Sequence, residues 1–143
     1  MSATITIQLS PSAIALADRF KSAPTEFPLA IKRGMTRALA IVAGRIQEKR
    51  LTGHGPFPVS EHRLGERTGQ LKLRTRSTTA TVTAAGNTVT VTGAIGSSTR
   101  YAAYQEFGTR RLPARAPFRT GIQENAEYIS SEIEKEIVKS LKT

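Results

Sequence analysis

The stretch Thr81-Val82-Thr83-Ala84-Ala85-Gly86-Asn87-Thr88-Val89-Thr90-Val91-Thr92 decides the fold. Gly86-Asn87 suits the positive φ values of a two-residue hairpin turn. Folding the chain there sets Val82 opposite Val91, Ala84 opposite Val89, Thr81 opposite Thr92 and Thr83 opposite Thr90. Apolar residues meet apolar residues on one face, threonines meet threonines on the other, and a one-residue slip would break both sets. A long hairpin over 79–92, with one face turned to a core, follows.

Upstream of the hairpin, Leu71-Lys72-Leu73-Arg74-Thr75-Arg76 alternates, which predicts a strand carrying Lys72, Arg74 and Arg76 on one face. Ile5, Ile7 and Leu9 alternate in the same way at the N-terminus and predict a half-buried strand over 4–9. Ser10-Pro11 then supplies an N-cap and a first-turn proline for a short helix to about Lys21, ended by Pro24 and Pro28. From Pro28 the apolar residues Ile31, Met35, Ala38, Leu39, Val42 and Ile46 recur every three or four positions. They mark the main amphipathic helix, about 28–50, with Lys32, Arg33 and Arg37 among its polar positions. A second helical stripe, Ile122, Ala126, Ile129, Ile133, Ile137 and Leu141, predicts a C-terminal helix over 117–142, with Pro117 in its first turn. Between the main helix and the first hairpin-side strand, 51–69 reads as a long flexible loop, rich in glycine and proline. The expected fold is a single α+β domain over 1–143: a small mixed or antiparallel sheet packed against a long central helix and a C-terminal helix.

Composition narrows the chemistry. The 143 residues contain no cysteine, which excludes disulfides and thiolate catalysis, and no apolar run approaches the ~18–20 residues of a membrane span. No secretory signal is visible at the N-terminus. His54 and His62 stand in the glycine-rich stretch, where nothing predicts the rigid, supported geometry a metal requires. The chain has one aspartate, Asp18, and neither a nucleophile elbow nor a phosphate loop. Neither an enzyme nor a cofactor is expected. Charge is the strongest signal: residues 1–119 hold 18 basic and 6 acidic side chains, a net of +12, whereas 120–143 hold 3 and 5, a net of −2. Most of the chain therefore favours an anionic partner, either nucleic acid or an acidic protein surface.

The aromatic residues are concentrated. Of 8 in the chain, Tyr101, Tyr104, Phe107 and Phe118 fall within 18 positions, interleaved with Arg110, Arg111 and Arg115, the mixture favoured at interface centres. Core packing and an interface are equal expectations for Phe107 and Phe118. The order Thr68-Gly69-Gln70-Leu71, then Tyr101-Ala102 with Glu106-Phe107-Gly108-Thr109, then Pro113-Ala114-Arg115-Ala116-Pro117-Phe118 opening a helix, resembles the neck and tail-completion proteins of long-tailed bacteriophages. The likeness spans roughly residues 4–140 and departs from the family in the long segment between Leu51 and Thr68.

The resemblance implies a structural virion subunit without catalytic residues. It would assemble in the host cytoplasm into a homo-oligomeric ring, six-fold or a multiple of six, between the head-closure ring and the tail terminator or tube. The positions it carries over are Gly69, Leu71, Tyr101, Glu106, Phe107, Gly108, Thr109, Pro113, Arg115, Pro117 and Phe118. A channel lining is a further expectation for Lys32, Arg33, Arg37, Lys72, Arg74 and Arg76, which would meet either DNA phosphates or an acidic neighbouring ring. The alternative from another class is a free basic nucleic-acid-binding module.

Overall fold

The computed structural model describes residues 2–8, 26–65, 69–85 and 88–142. The expected helix after Ser10-Pro11, the Gly86-Asn87 turn and Thr68 lie outside these residues. In chain order the elements are β1 (Ser2–Gln8), α1 (Glu26–Arg50), a 3-10 turn (Val59–Glu61), α2 (Gln70–Leu73) and β2 (Thr75–Ser77). They continue with β3 (Thr81–Ala85), β4 (Thr88–Ser97), α3 (Ala102–Phe107), α4 (Pro117–Glu124) and α5 (Ala126–Leu141). The α+β architecture is the expected one, an antiparallel four-stranded sheet covered by the long helix and the C-terminal helices.

The hairpin has the register its pattern requires, with Val82 on Val91, Ala84 on Val89, Thr81 on Thr92 and Thr83 on Thr90. β4 is the central strand: β1 pairs along one side, and β2 and β3 follow one another along the other. Thr78 bridges the gap between β2 and β3. Its amide donates to the Ala94 carbonyl and its Oγ1 accepts from the Ala94 amide, so the ladder continues where the strand is interrupted. Val91 and Ile95 face α1 and are fully buried, whereas Thr4, Thr6, Thr81 and Thr83 are exposed on the opposite face. Thr6 Oγ1 lies 3.4 Å from Thr92 Oγ1 in that threonine layer.

Every apolar position predicted for α1 is buried. Pro28 sits inside its first turn, two residues later than the observed start. A proline is tolerated there because the first amides of a helix have no intrahelical partner. The C-terminal helix is in fact two, because the chain breaks at Asn125. Asn125 Nδ2 donates to the Gly121 carbonyl and its Oδ1 accepts from Arg45, which fixes the bend. Ile122, Ile129, Ile133 and Ile137 are buried as expected, but Ala126 and Leu141 are exposed. Ala126 is turned outward by the break.

α5 runs antiparallel to α1, with Arg33 and Arg37 meeting Glu136, and Arg45 stacked 4.1 Å over the Tyr128 ring. Gly34 makes this close approach possible, since a Cβ there would stand 2.8 Å from the Ile133 Cα and 3.0 Å from the Glu132 carbonyl oxygen. Backbone cannot yield as a side chain can. Gly34→Ala is therefore expected to cost about 1–3 kcal/mol through overpacking, only partly offset by the ~1 kcal/mol gain in helix propensity. A thermal melt should show the midpoint falling by several degrees.

The expected strand over Leu71–Arg76 is corrected. Residues 70–73 form one helical turn, α2, and only Thr75–Ser77 pair as a strand. Gly69 enters the turn with φ 70°, and Thr75 Oγ1 donates to the Leu71 carbonyl. Gln47 of α1 also donates to the carbonyls of Lys72 and Thr75. These non-local bonds outweigh the alternation. Leu71 is buried and Leu73 is 65% exposed, so the two leucines do not share a face.

Candidate interaction site

α3 inverts the usual distribution of polar and apolar residues. Its inner positions are Ala102 and Glu106, one turn apart and each about 1% exposed, while Tyr101, Tyr104 and Phe107 point outward with exposures of 41%, 55% and 65%. A buried carboxyl beside an exposed aromatic cluster is the informative departure from the ordinary rule of apolar residues inside.

Glu106 explains the first half. Its Oε2 accepts from the Phe118 amide at 3.1 Å and its Oε1 from the Arg119 amide at 2.9 Å. Those are the second and third residues of α4. Ala116, in the N-cap position with φ 46°, has no side chain to cap them, and Pro117 at the first position has no amide to satisfy. Glu106 acts as an N-cap supplied from another helix. Phe118 is consequently fully buried, so of its two expected roles it takes the core one, and Glu106 is likewise interior rather than a surface contact.

The residues after α3 lock it in place. Gly108 has φ 75°, and a Cβ there would lie 2.8 Å from both the Leu112 carbonyl oxygen and the Ala114 nitrogen, so both conformation and space require glycine. Thr109 Oγ1 accepts from the amides of Arg111 and Leu112, closing a turn that presents Arg110, Arg111 and Leu112 to solvent. Pro113 is exposed at its end. The amides of Arg115 and Ala116 donate back to the Gln105 carbonyl.

Arg115 also reaches the 51–65 segment, donating to the carbonyls of Phe57 at 2.7 Å and Arg63 at 3.1 Å, while His62 Nδ1 donates to the Arg115 carbonyl. Arg63 stacks on Phe57 at 4.1 Å and donates to the Thr52 carbonyl. Where an open loop is expected, the described part of 51–69 is hydrogen-bonded to the body of the molecule. His62 is a half-buried anchor, and His54 is exposed. Among the described residues no three potential metal ligands come together.

A cleft of about 800 Å³ opens between this segment, α2 and α3, lined by Leu51, Phe57, Leu71, Tyr101 and Leu112, with Lys72 at its wall. Tyr101 and Leu112 belong to both the cleft and the outer patch. Leu112, 49% exposed, and Arg100 complete the patch although the motif does not single them out. Their only sequence signal is proximity to the aromatics.

The basic residues do not form one face. Arg33 and Arg37 pair with Glu136, with Lys32 nearby on α1, whereas Lys72, Arg74 and Arg76 lie at the other end of that helix, beside Gln47. Gln47, which holds the Lys72 carbonyl, stands ten helical residues beyond Arg37, a rise of ~15 Å along the axis. Arg76 is folded back onto the carbonyls of Leu73 and Thr75.

Glu124 links the C-terminal helices to α1 through the buried Arg50 and the exposed Lys49. Its pKa is lowered from the ordinary 4.5, chiefly by the hydrogen bond from Arg50, against the opposing effect of burial. An unfolded chain therefore binds this proton first. The stabilisation is complete above the ordinary value and is lost as pH falls through the depressed folded value. Urea unfolding midpoints should fall on acidification below about pH 4.5, and Glu124→Gln should flatten part of that fall.

No family model matches the chain, and neither does any curated protein or solved structure.

Proposed function

We propose that this chain is a non-enzymatic structural virion protein, a ring-forming subunit of the neck or tail-completion complex that joins a phage head to its tail. The observation that carries this reading is the inverted helix α3, whose aromatic face is turned to solvent and whose carboxyl is spent on fixing that face in position. Exposed aromatics on a rigid mount, flanked by arginines, have the composition of an interface centre. The motif that resembles the neck family coincides with this mount: Glu106 caps, Gly108 turns, Thr109 closes the loop, Arg115 clamps and Pro117 starts the next helix. Ring closure would cover what the single subunit leaves exposed. Neighbouring head-closure and tail terminator or tube proteins are the proposed axial partners.

The test is Tyr104→Ser with Phe107→Ser. Both residues are exposed, so the fold should be nearly unaffected, with changes within ~0.5 kcal/mol by urea unfolding. Loss of interface anchors should weaken self-association or joining to head and tail precursors by at least ~2 kcal/mol. Unchanged assembly with the double substitution would remove the aromatic patch from the account.

A second reading, a nucleic-acid-binding module, is favoured by one observation. Lys72, Arg74, Arg100, Arg110 and Arg111 make no ion pair among the described residues, and Tyr101 and Tyr104 are exposed beside three of them. Arginines near exposed rings suit a stacked single strand. A binding titration across salt concentrations separates the readings: sub-micromolar, steeply salt-dependent affinity at physiological salt would favour the nucleic-acid partner.

A further inference from the structure

We infer that the aromatic and arginine patch around α3 receives the outer face of α5 from a second copy of this chain, in a head-to-tail contact. The inference rests on the ring reading and names the two surfaces that would close the ring. The first surface presents Tyr104, Phe107 and Leu112 with Arg100, Arg110 and Arg111, all exposed, and none of these arginines has a carboxylate partner among the described residues.

The second surface is a stripe on α5. Glu127, Glu134, Val138 and Leu141 lie 7, 4 and 3 residues apart and are all exposed, Val138 at 47% and Leu141 at 42%. At ~100° per residue these four positions fall within about 60° of one another. Glu127 and Glu134 have no cationic partner among the described residues, in contrast to Glu124, Glu132 and Glu136, which are all paired. Lys135 and Lys139 of the helix, and Lys142 just after it, lie to one side of the stripe. Each surface thus combines exposed apolar side chains with charges that have no ion-pair partner among the described residues, and the charges are of opposite sign.

Their placement sets the geometry of the contact. Glu106 fastens α3 to the start of α4, at the end of the molecule where Arg50 meets Glu124. α5 leads away from that end along α1, so Val138 and Leu141 lie roughly 20 Å from its start. Complementary patches at different places on one subunit cannot satisfy each other within it. They make a heterologous contact, which closes into a ring when the rotation permits.

Charge exchange on the full-length protein tests this. Glu127→Lys with Glu134→Lys sets lysine against arginine, and Arg110→Glu with Arg111→Glu sets glutamate against glutamate. Each double variant alone is expected to associate 10–100-fold more weakly than the parent, measured by sedimentation across concentration, in line with like charges placed at an interface. An equimolar mixture restores both junctions, because each variant's altered face then meets an opposite charge on the other variant. It should give alternating oligomers with equal numbers of the two chains, read by native mass spectrometry.

Parental association by either variant alone, or no restoration on mixing two folded variants, would overturn the pairing and leave the ring reading standing. So would loss of nucleic-acid binding in the arginine variant with assembly intact. A parent that stays monomeric throughout would overturn the pairing, and the ring reading with it when head and tail precursors also fail to bind.

Discussion

Replacing Glu106 by alanine is expected to lower the free energy of unfolding by about 2–4 kcal/mol, because two backbone amides of α4 lose a side-chain acceptor in a buried place. The carboxyl bonds the amides of Phe118 and Arg119 and is itself 1% exposed. Water cannot replace it there without opening the contact between α3 and α4. Glu106→Gln keeps one acceptor oxygen and should cost roughly half as much. Urea unfolding of the two variants measures both. A loss below ~0.5 kcal/mol in the alanine variant would show that the carboxyl is not holding α4. The same substitution loosens α3, so assembly should weaken more than for a surface change of equal size.

The second large effect is expected at Arg50, the last residue of α1, whose side chain is 3% exposed. Its Nη1 donates to the carbonyls of Glu61 and His62 at 3.2 Å, and its Nη2 pairs with Glu124. One guanidinium thus ties the end of α1, the 51–65 segment and the end of α4 together. Arg50→Met is expected to destabilise by about 1.5–3 kcal/mol, because the carbonyls of Glu61 and His62 lose a charged donor, whereas Glu124, 43% exposed and still beside Lys49, keeps a partner and water. Lys49, whose side chain is 70% exposed and contacts the same Glu124, should cost less than ~1 kcal/mol when changed to alanine. Limited proteolysis gives the second measurement, since the 51–65 segment should be cleaved faster in the Arg50 variant.

The elements legible in the sequence were those whose signal is periodic and local. The hairpin register followed from two matched faces, and the six apolar positions of α1 followed from one stripe. What escaped depends on partners distant in sequence. Alternation in Leu71–Arg76 resembles a strand until Gln47 of α1 takes the carbonyls of Lys72 and Thr75. The break at Asn125 leaves the isoleucine stripe almost in phase, so periodicity alone does not reveal it.

The same limit applies at the site. Aromatic clustering marked Tyr101, Tyr104 and Phe107, yet the division that leaves Phe107 outside and Phe118 inside depends on Glu106 reaching the next helix. Arg33 and Arg37 leave the expected basic face because they meet Glu136, about 100 positions away.

Native mass spectrometry of the full chain over a concentration series shows whether the subunit closes into a ring. A closed oligomer of one dominant stoichiometry, six subunits or a multiple, is the predicted result. A monomer that persists at high concentration and also fails to bind head or tail precursors would contradict it.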